Sequence, residues 1–161
     1  MNSQKAFTFI ELIVVVSIIA IISAMGIVGY PIYLKRARDV QRKNDLKQYQ
    51  VALNSFANSN SMLYPASTTT SSISSFCSSY LTNYIQGCFQ DIFNLRDSSF
   101  DYNYQAQSRS GGGTMGSAEA TKWVLWAKLE VGSKYWVVCS NGKVGEKAST
   151  GLIVTGANCP L

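Results

Sequence analysis

The sequence contains no histidine, and only 14% of its 161 residues are charged. Without histidine the chain lacks the commonest general acid–base group and the commonest nitrogen ligand for metals. Its serines fall in low-complexity runs with no nucleophile-elbow motif. The run Gly111-Gly112-Gly113 is not followed by the Lys-Ser/Thr pair that a phosphate-binding loop needs, so it reads as a flexible connection. There is no C-x-x-C pair, which leaves a zinc site little support. The sequence therefore calls for no catalytic residue and no cofactor.

Acidic residues are also scarce, nine against fourteen basic, giving a net charge of +5. The surplus is local. Lys35, Arg36, Arg38, Arg42, Lys43 and Lys47 face only Asp39 and Asp45 in that stretch. Such a cluster reads as a solvated, salt-bridged helix face near lipid headgroups, and no specific nucleic-acid partner is expected.

What the chain has in quantity is apolar sequence, concentrated near one end. From Leu12 to Leu34 there is no charge in 23 residues. About 20 apolar residues suffice to span a bilayer as a helix. A cleavable secretory signal carries a shorter apolar core, which disfavours a secreted domain cut near Ala24. Gly26, Gly29 and Pro31 weaken the helix there, since proline removes a backbone hydrogen bond. Glu11 interrupts the apolar run at its start. A carboxylate in hydrocarbon is disfavoured by about 2.5–3.5 kcal/mol and usually has a partner.

Beyond Leu34 the helix continues with an amphipathic pattern. Leu46, Tyr49, Leu53 and Phe56 recur at spacings of three and four, one apolar stripe. The helix is expected to end near Asn58-Ser59-Asn60, at a length of ~75 Å with 1.5 Å per residue. Residues 66–75 read as a polar loop, and a short helix is expected near Cys77–Ile85. Strands are expected over Phe100–Gln105, Lys122–Glu130, Lys134–Ser140 and Gly151–Thr155, with a hairpin turn at Asn141-Gly142. In Lys122–Glu130, Trp123, Leu125, Ala127 and Leu129 share one face. The fold class is α+β: a long N-terminal helix packed on a small antiparallel sheet. Of three pairings open to four cysteines, the spacing favours Cys77–Cys88 and Cys139–Cys159.

The octapeptide Lys5-Ala6-Phe7-Thr8-Phe9-Ile10-Glu11-Leu12 resembles the processing site of type IV pilins and type II secretion pseudopilins. That family has a basic leader, a small residue before the cut, Phe after it, Glu at the fifth mature position and a long apolar helix. The chain departs from it at Ala6, where the family usually has Gly. A second stretch is similar to major pseudopilins: Arg36-Ala37-Arg38-Asp39, then Arg42-Lys43-Asn44-Asp45-Leu46, then Tyr64-Pro65. The resemblance implies a leader at 1–6, an assembly helix at 7–34, an amphipathic helix at 35–58 and a head at 59–161. It makes Ala6 and Phe7 the cleavage and N-methylation site and Glu11 the assembly glutamate, paired with the new amine of Phe7 on a neighbouring copy. It implies a prepilin peptidase, an inner-membrane assembly platform, membrane lipid before assembly and copies of the chain itself as partners. It also implies a single-pass cytoplasmic-membrane protein with an extracytoplasmic head, polymerised into a pilus or a secretion pseudopilus. The alternative is a signal-anchored binding protein that never polymerises. Major pseudopilins can bind calcium in a loop corresponding to the region of Asp91, Asp97 and Asp101. The spacing here does not match an EF-hand, and three solvated acids are the favoured reading.

Overall fold

The computed structural model describes residues 7–108, 113–152 and 154–161. Ala6 and Gly111-Gly112 lie outside the described residues. The chain opens with one long helix, α1, over Phe9–Ser59. Its only internal proline is Pro31. The helix bends by 51° between Phe9–Ala24 and Gly29–Ser59. Gly26 lies inside the break, Gly29 borders it, and Pro31 has no N–H to donate to the carbonyl four residues back, within the break. Among the described residues no single helix is long and apolar enough to cross a membrane; the two bent arms together pass that test by length and composition only. α1 stops where Asn60 folds back, its N–H bonding Ala57 O and its amide bonding Phe56 O. Ser61 and Met62 then take positive φ, which no helix continues.

The second arm of α1 carries the head. Leu46, Tyr49, Leu53 and Phe56 are all buried, as their periodicity requires. They pack against a five-stranded antiparallel sheet in the order β2-β3-β5-β6-β7, where β2 is Ser67–Ser72, β3 Asn103–Gln107, β5 Lys122–Lys128, β6 Lys134–Cys139 and β7 Val144–Ala148. A two-residue ladder joins β1, Tyr64–Pro65, to β4, Ala118–Ala120. Trp123, Leu125 and Ala127 face α1, while Val124 and Trp126 face the other way. That second face is also covered. Leu152, Val154, Cys159 and Leu161 pack on it, and the Cys139–Cys159 disulfide holds them there. The Cys77–Cys88 disulfide closes the other loop, so both pairs are the ones that spacing favours.

Four local expectations are corrected. The polar stretch 66–75 is not a loop but an edge strand followed by the first turn of α2, Ile73–Tyr80. Its β-branched threonines suit a strand whose side chains stay exposed, and a bulge between Ser67 and Ser71 disrupts the pairing with β3. Such a bulge makes a poor template for further strands. The short helix thus begins at Ile73, earlier than Cys77. Phe100 belongs to a 3-10 turn, Ser98–Phe100, because Asp97 accepts the Ser99 N–H and caps it, so β3 starts only at Asn103. Finally, the described residues of 151–155 form no strand. The outer partner of β6 is β7, whose glycine and charged residues conceal it in the sequence. Gly142, at φ +83°, makes the turn between them. Gly116 is equally constrained: a Cβ there would sit 2.1 Å from the Tyr80 ring.

Candidate functional site

Two features stand out on α1: an uncovered apolar arm and a charged clasp where the head begins. On the arm, Phe7, Phe9, Ile10 and every described apolar side chain from Leu12 to Ile22 except Ala20 are large and exposed, Phe7 at 82%. No other described residue folds back over them. The only charge in this surface is Glu11. Within its own chain the carboxylate is held by Thr8. Thr8 donates its N–H at 2.9 Å and its hydroxyl at 2.7 Å to Glu11 Oε2, while Glu11 N–H reaches Thr8 Oγ1 at 3.3 Å. This is a capping box, a reciprocal use of helix-end donors that starts α1. Phe7 precedes the cap directly, so its main chain sits one residue ahead of the carboxylate's anchor.

The clasp lies on the turns that follow Leu34. Arg42 is 1% exposed. It gives its Nε to Asp91 Oδ2, its Nη2 to Asp91 Oδ1 at 3.2 Å and its Nη1 to Asp39 Oδ1 at 2.7 Å. The same Nη1 lies 2.9 Å from Glu130 Oε1. Arg38 grips Glu130 with two bonds, at 2.7 and 2.6 Å. Asp39 in turn accepts the backbone N–H groups of Glu130 and Val131. The Arg42 guanidinium lies over Phe100 at 4.7 Å and that of Arg38 over Phe93 at 5.0 Å. Further along, Asp45 accepts the Tyr102 hydroxyl at 2.8 Å and Tyr49 donates to Phe89 O at 2.7 Å. Lys43 pairs with Glu146 at 2.9 Å beside the Trp136 ring.

The electrostatics follow from this arrangement. Burial works against the charge on Arg42, but hydrogen bonds to Asp91 and Asp39 outweigh it and hold its pKa above the usual value. The Arg38 hydrogen bonds hold Glu130 below the ordinary carboxylate value, against burial. Burial pushes Asp45 up, only partly offset by the Tyr102 hydroxyl. A fully paired network of this kind fixes one geometry, because each lone charge in it would be strongly disfavoured.

The structure brings Asp39, Asp91 and Glu130 together around Arg42, so the Arg/Asp pattern is not a solvated helix surface. Nor is Asp91 a solvated acid: it is buried against Arg42. Asp97 caps the 3-10 turn and Asp101 accepts the Tyr102 N–H and approaches Asn94, so the three acids serve different local bonds. Among the described residues no group of three or more His, Cys, Asp or Glu could hold a metal ion. Glu130 was not singled out by its sequence context. The signal for a buried clasp was Arg42 itself, which stands four residues before Leu46 and so continues the buried stripe.

Comparison with known proteins agrees at the N-terminal end. Residues 1–27 match the prokaryotic N-terminal methylation motif. Over 53 residues the chain is 43% identical to prepilin peptidase-dependent protein D of Escherichia coli (strain K12), a stretch covering 33% of this chain and 36% of that relative. The chain thus matches about a third of the relative's length. No solved structure matches. The methylation motif, the similarity to that relative and the long helix on a small antiparallel sheet together support a resemblance to the type IV pilin and pseudopilin superfamily.

Proposed function

We propose that this chain is a structural subunit of a type IV pilus-like or pseudopilus filament and catalyses nothing. Before assembly it sits in the cytoplasmic membrane through the first arm of α1, with its head on the extracytoplasmic side. A prepilin peptidase removes residues 1–6 by cutting between Ala6 and Phe7, and the new amine is methylated. An inner-membrane platform then draws the subunit into a filament, where copies pack through α1. One observation carries this reading: the first arm of α1 is a bare apolar surface broken by one carboxylate, behind a methylation motif. In the filament Glu11 meets the Phe7 amine of a neighbour, which cancels a charge in an apolar setting.

The test is the mass of the N-terminal peptide from membrane-extracted protein made alongside a prepilin peptidase. A start at Phe7 with one added methyl group is expected. A start at Met1 would instead support the signal-anchored monomer. That second reading has an observation in its favour, because Thr8 already satisfies Glu11 within one chain. Glu11→Val separates the two: the variant should enter the membrane but fail to form filaments, and normal filaments would defeat the pairing. Pilus and secretion roles divide on neighbouring genes, a retraction ATPase or a secretin.

A further inference from the structure

We infer that the loop 91–97 is a lipid-contacting foot, which seats the base of the head on an anionic bilayer surface through Leu95, Ile92 and Arg96. The inference rests on the proposed membrane anchoring through the first arm of α1.

The path of the chain fixes where this loop points. Phe89 meets α1 at Tyr49, Asp91 meets it at Arg42, and Phe93 meets it at Arg38. The backbone therefore descends along α1 toward its uncharged segment. It then climbs again, with Phe100 over Arg42 and Tyr102 at Asp45. The lowest point lies between, at residues 94–96, where Arg96 N–H and Asp97 N–H both turn back to Phe93 O. Arg38 is four residues beyond Leu34, so its Cα stands ~6 Å past the end of the uncharged run at 1.5 Å per residue. Helical side chains lean toward the N-terminus, which brings the Arg38–Phe93 contact lower still. The interfacial zone of a bilayer is about 5–8 Å deep on each side of its core. The loop tip falls within it.

The composition of the tip fits that zone. Leu95 is 96% exposed and Ile92 63% exposed, although both belong to a loop clamped from behind by buried ion pairs. A clamped loop that presents bare apolar side chains is a platform for a surface, not a slack connection. Arg96 is exposed beside them and has no ion-pair partner among the described residues. Lys35 lies one turn before Arg38 on the same helix face and is likewise unpaired and exposed, as is Arg36 on the flank. The exposed acid nearby is Asp97, whose carboxylate is used on Ser99. Apolar side chains beside unpaired cations suit acyl chains and anionic headgroups together.

All four cysteines are paired, so one added thiol can carry an environment-sensitive fluorophore. The full chain is reconstituted into vesicles of phosphatidylglycerol and phosphatidylethanolamine containing a shallow spin-labelled quencher lipid. Probes are placed by Leu95→Cys, by Val16→Cys in the apolar arm and by Asn58→Cys at the far end of α1. All three positions are exposed, so the labels leave the core intact. The probe at 95 should be quenched several-fold more than that at 58, and the effect should fall several-fold when phosphatidylcholine replaces the anionic lipid or when Arg96→Gln is added. Quenching at 16 but not at 95 would overturn this inference while leaving the anchoring intact. No quenching at 16 would overturn the anchoring reading itself. A labelled position 95 that escapes the lipid quencher, while unlabelled Leu95→Cys forms a disulfide with a second copy under mild copper–phenanthroline oxidation, would mean that another subunit covers the loop, which also overturns it.

Discussion

Arg42 occupies a position that α1 otherwise gives to apolar side chains. Positions 42, 46, 49, 53 and 56 form one stripe, and four of the five are Leu, Tyr or Phe. A buried guanidinium there is tolerable only because Asp39, Asp91 and Glu130 surround it. Arg42→Met fits the volume but strands those carboxylates. It should destabilise the head by about 3–5 kcal/mol, the usual effect of breaking one side of a buried pair, read from denaturant unfolding followed by tryptophan fluorescence. The clasp also sets a pH dependence. Glu130 titrates below its ordinary value of 4.5 because Arg38 and Arg42 favour its charged form. Its contribution is therefore complete above 4.5 and is lost as the pH falls through the depressed folded value. Asp45 works with the opposite sign. Burial raises its pKa, so its ionisation removes stability as the pH rises through that value. Thermal midpoints should fall on acidification, more gently in Arg38→Gln and more steeply in Asp45→Asn.

At the scale of elements, the second arm of α1 is the core of the head. Leu53 is fully buried between helix and sheet. Leu53→Ala should destabilise by about 2–5 kcal/mol, depending on how far the sheet closes over the gap, with the same unfolding readout. The outer face of the sheet depends on a different device. Without the Cys139–Cys159 bond, the C-terminal residues on Val124 and Trp126 are held by packing alone. Replacing both cysteines by serine should lower stability by about 3 kcal/mol, as expected for a closed loop of this order, and should expose 152–161 to protease first. Periodicity made α1 and β5 legible, because 3.6 and 2 are strong signals over long runs. It failed at β7 and β2. β7 is half polar with a glycine in its second position, and β2 is a threonine-rich edge that looks like a linker when its partner strand is unknown. The clasp was half legible: Arg38, Asp39 and Arg42 sat together in the sequence, but Asp91 and Glu130 arrive from 49 and about 90 residues away. No local pattern encodes that meeting.

For the whole molecule, the division of α1 is sharp. Every contact between helix and head described above starts at Arg38 or later, and the bare surface ends before Lys35. A chain beginning at Lys35 should therefore fold, keep both disulfides and run as a soluble monomer on size exclusion, while the full chain needs detergent or lipid. Association of the truncated chain in the same buffer would show that the head has an interface of its own. The proposed topology sets motif against charge. Six basic residues just beyond an apolar segment would ordinarily stay in the cytoplasm. Arg38, Arg42 and Lys43 are matched by carboxylates of the head, so folding leaves half of that cluster electrically spent.

The clasp has a mechanical consequence as well. The ion pairs at Arg38 and Arg42 and the stripe from Leu46 to Phe56 join the head to α1 side by side along one axis. A pull on the Phe7 end therefore loads them in parallel, as shear, and no single bond can be peeled away before the rest. The stem of this chain is built as a lap joint, and tension delivered along it reaches the sheet without first unzipping the seam.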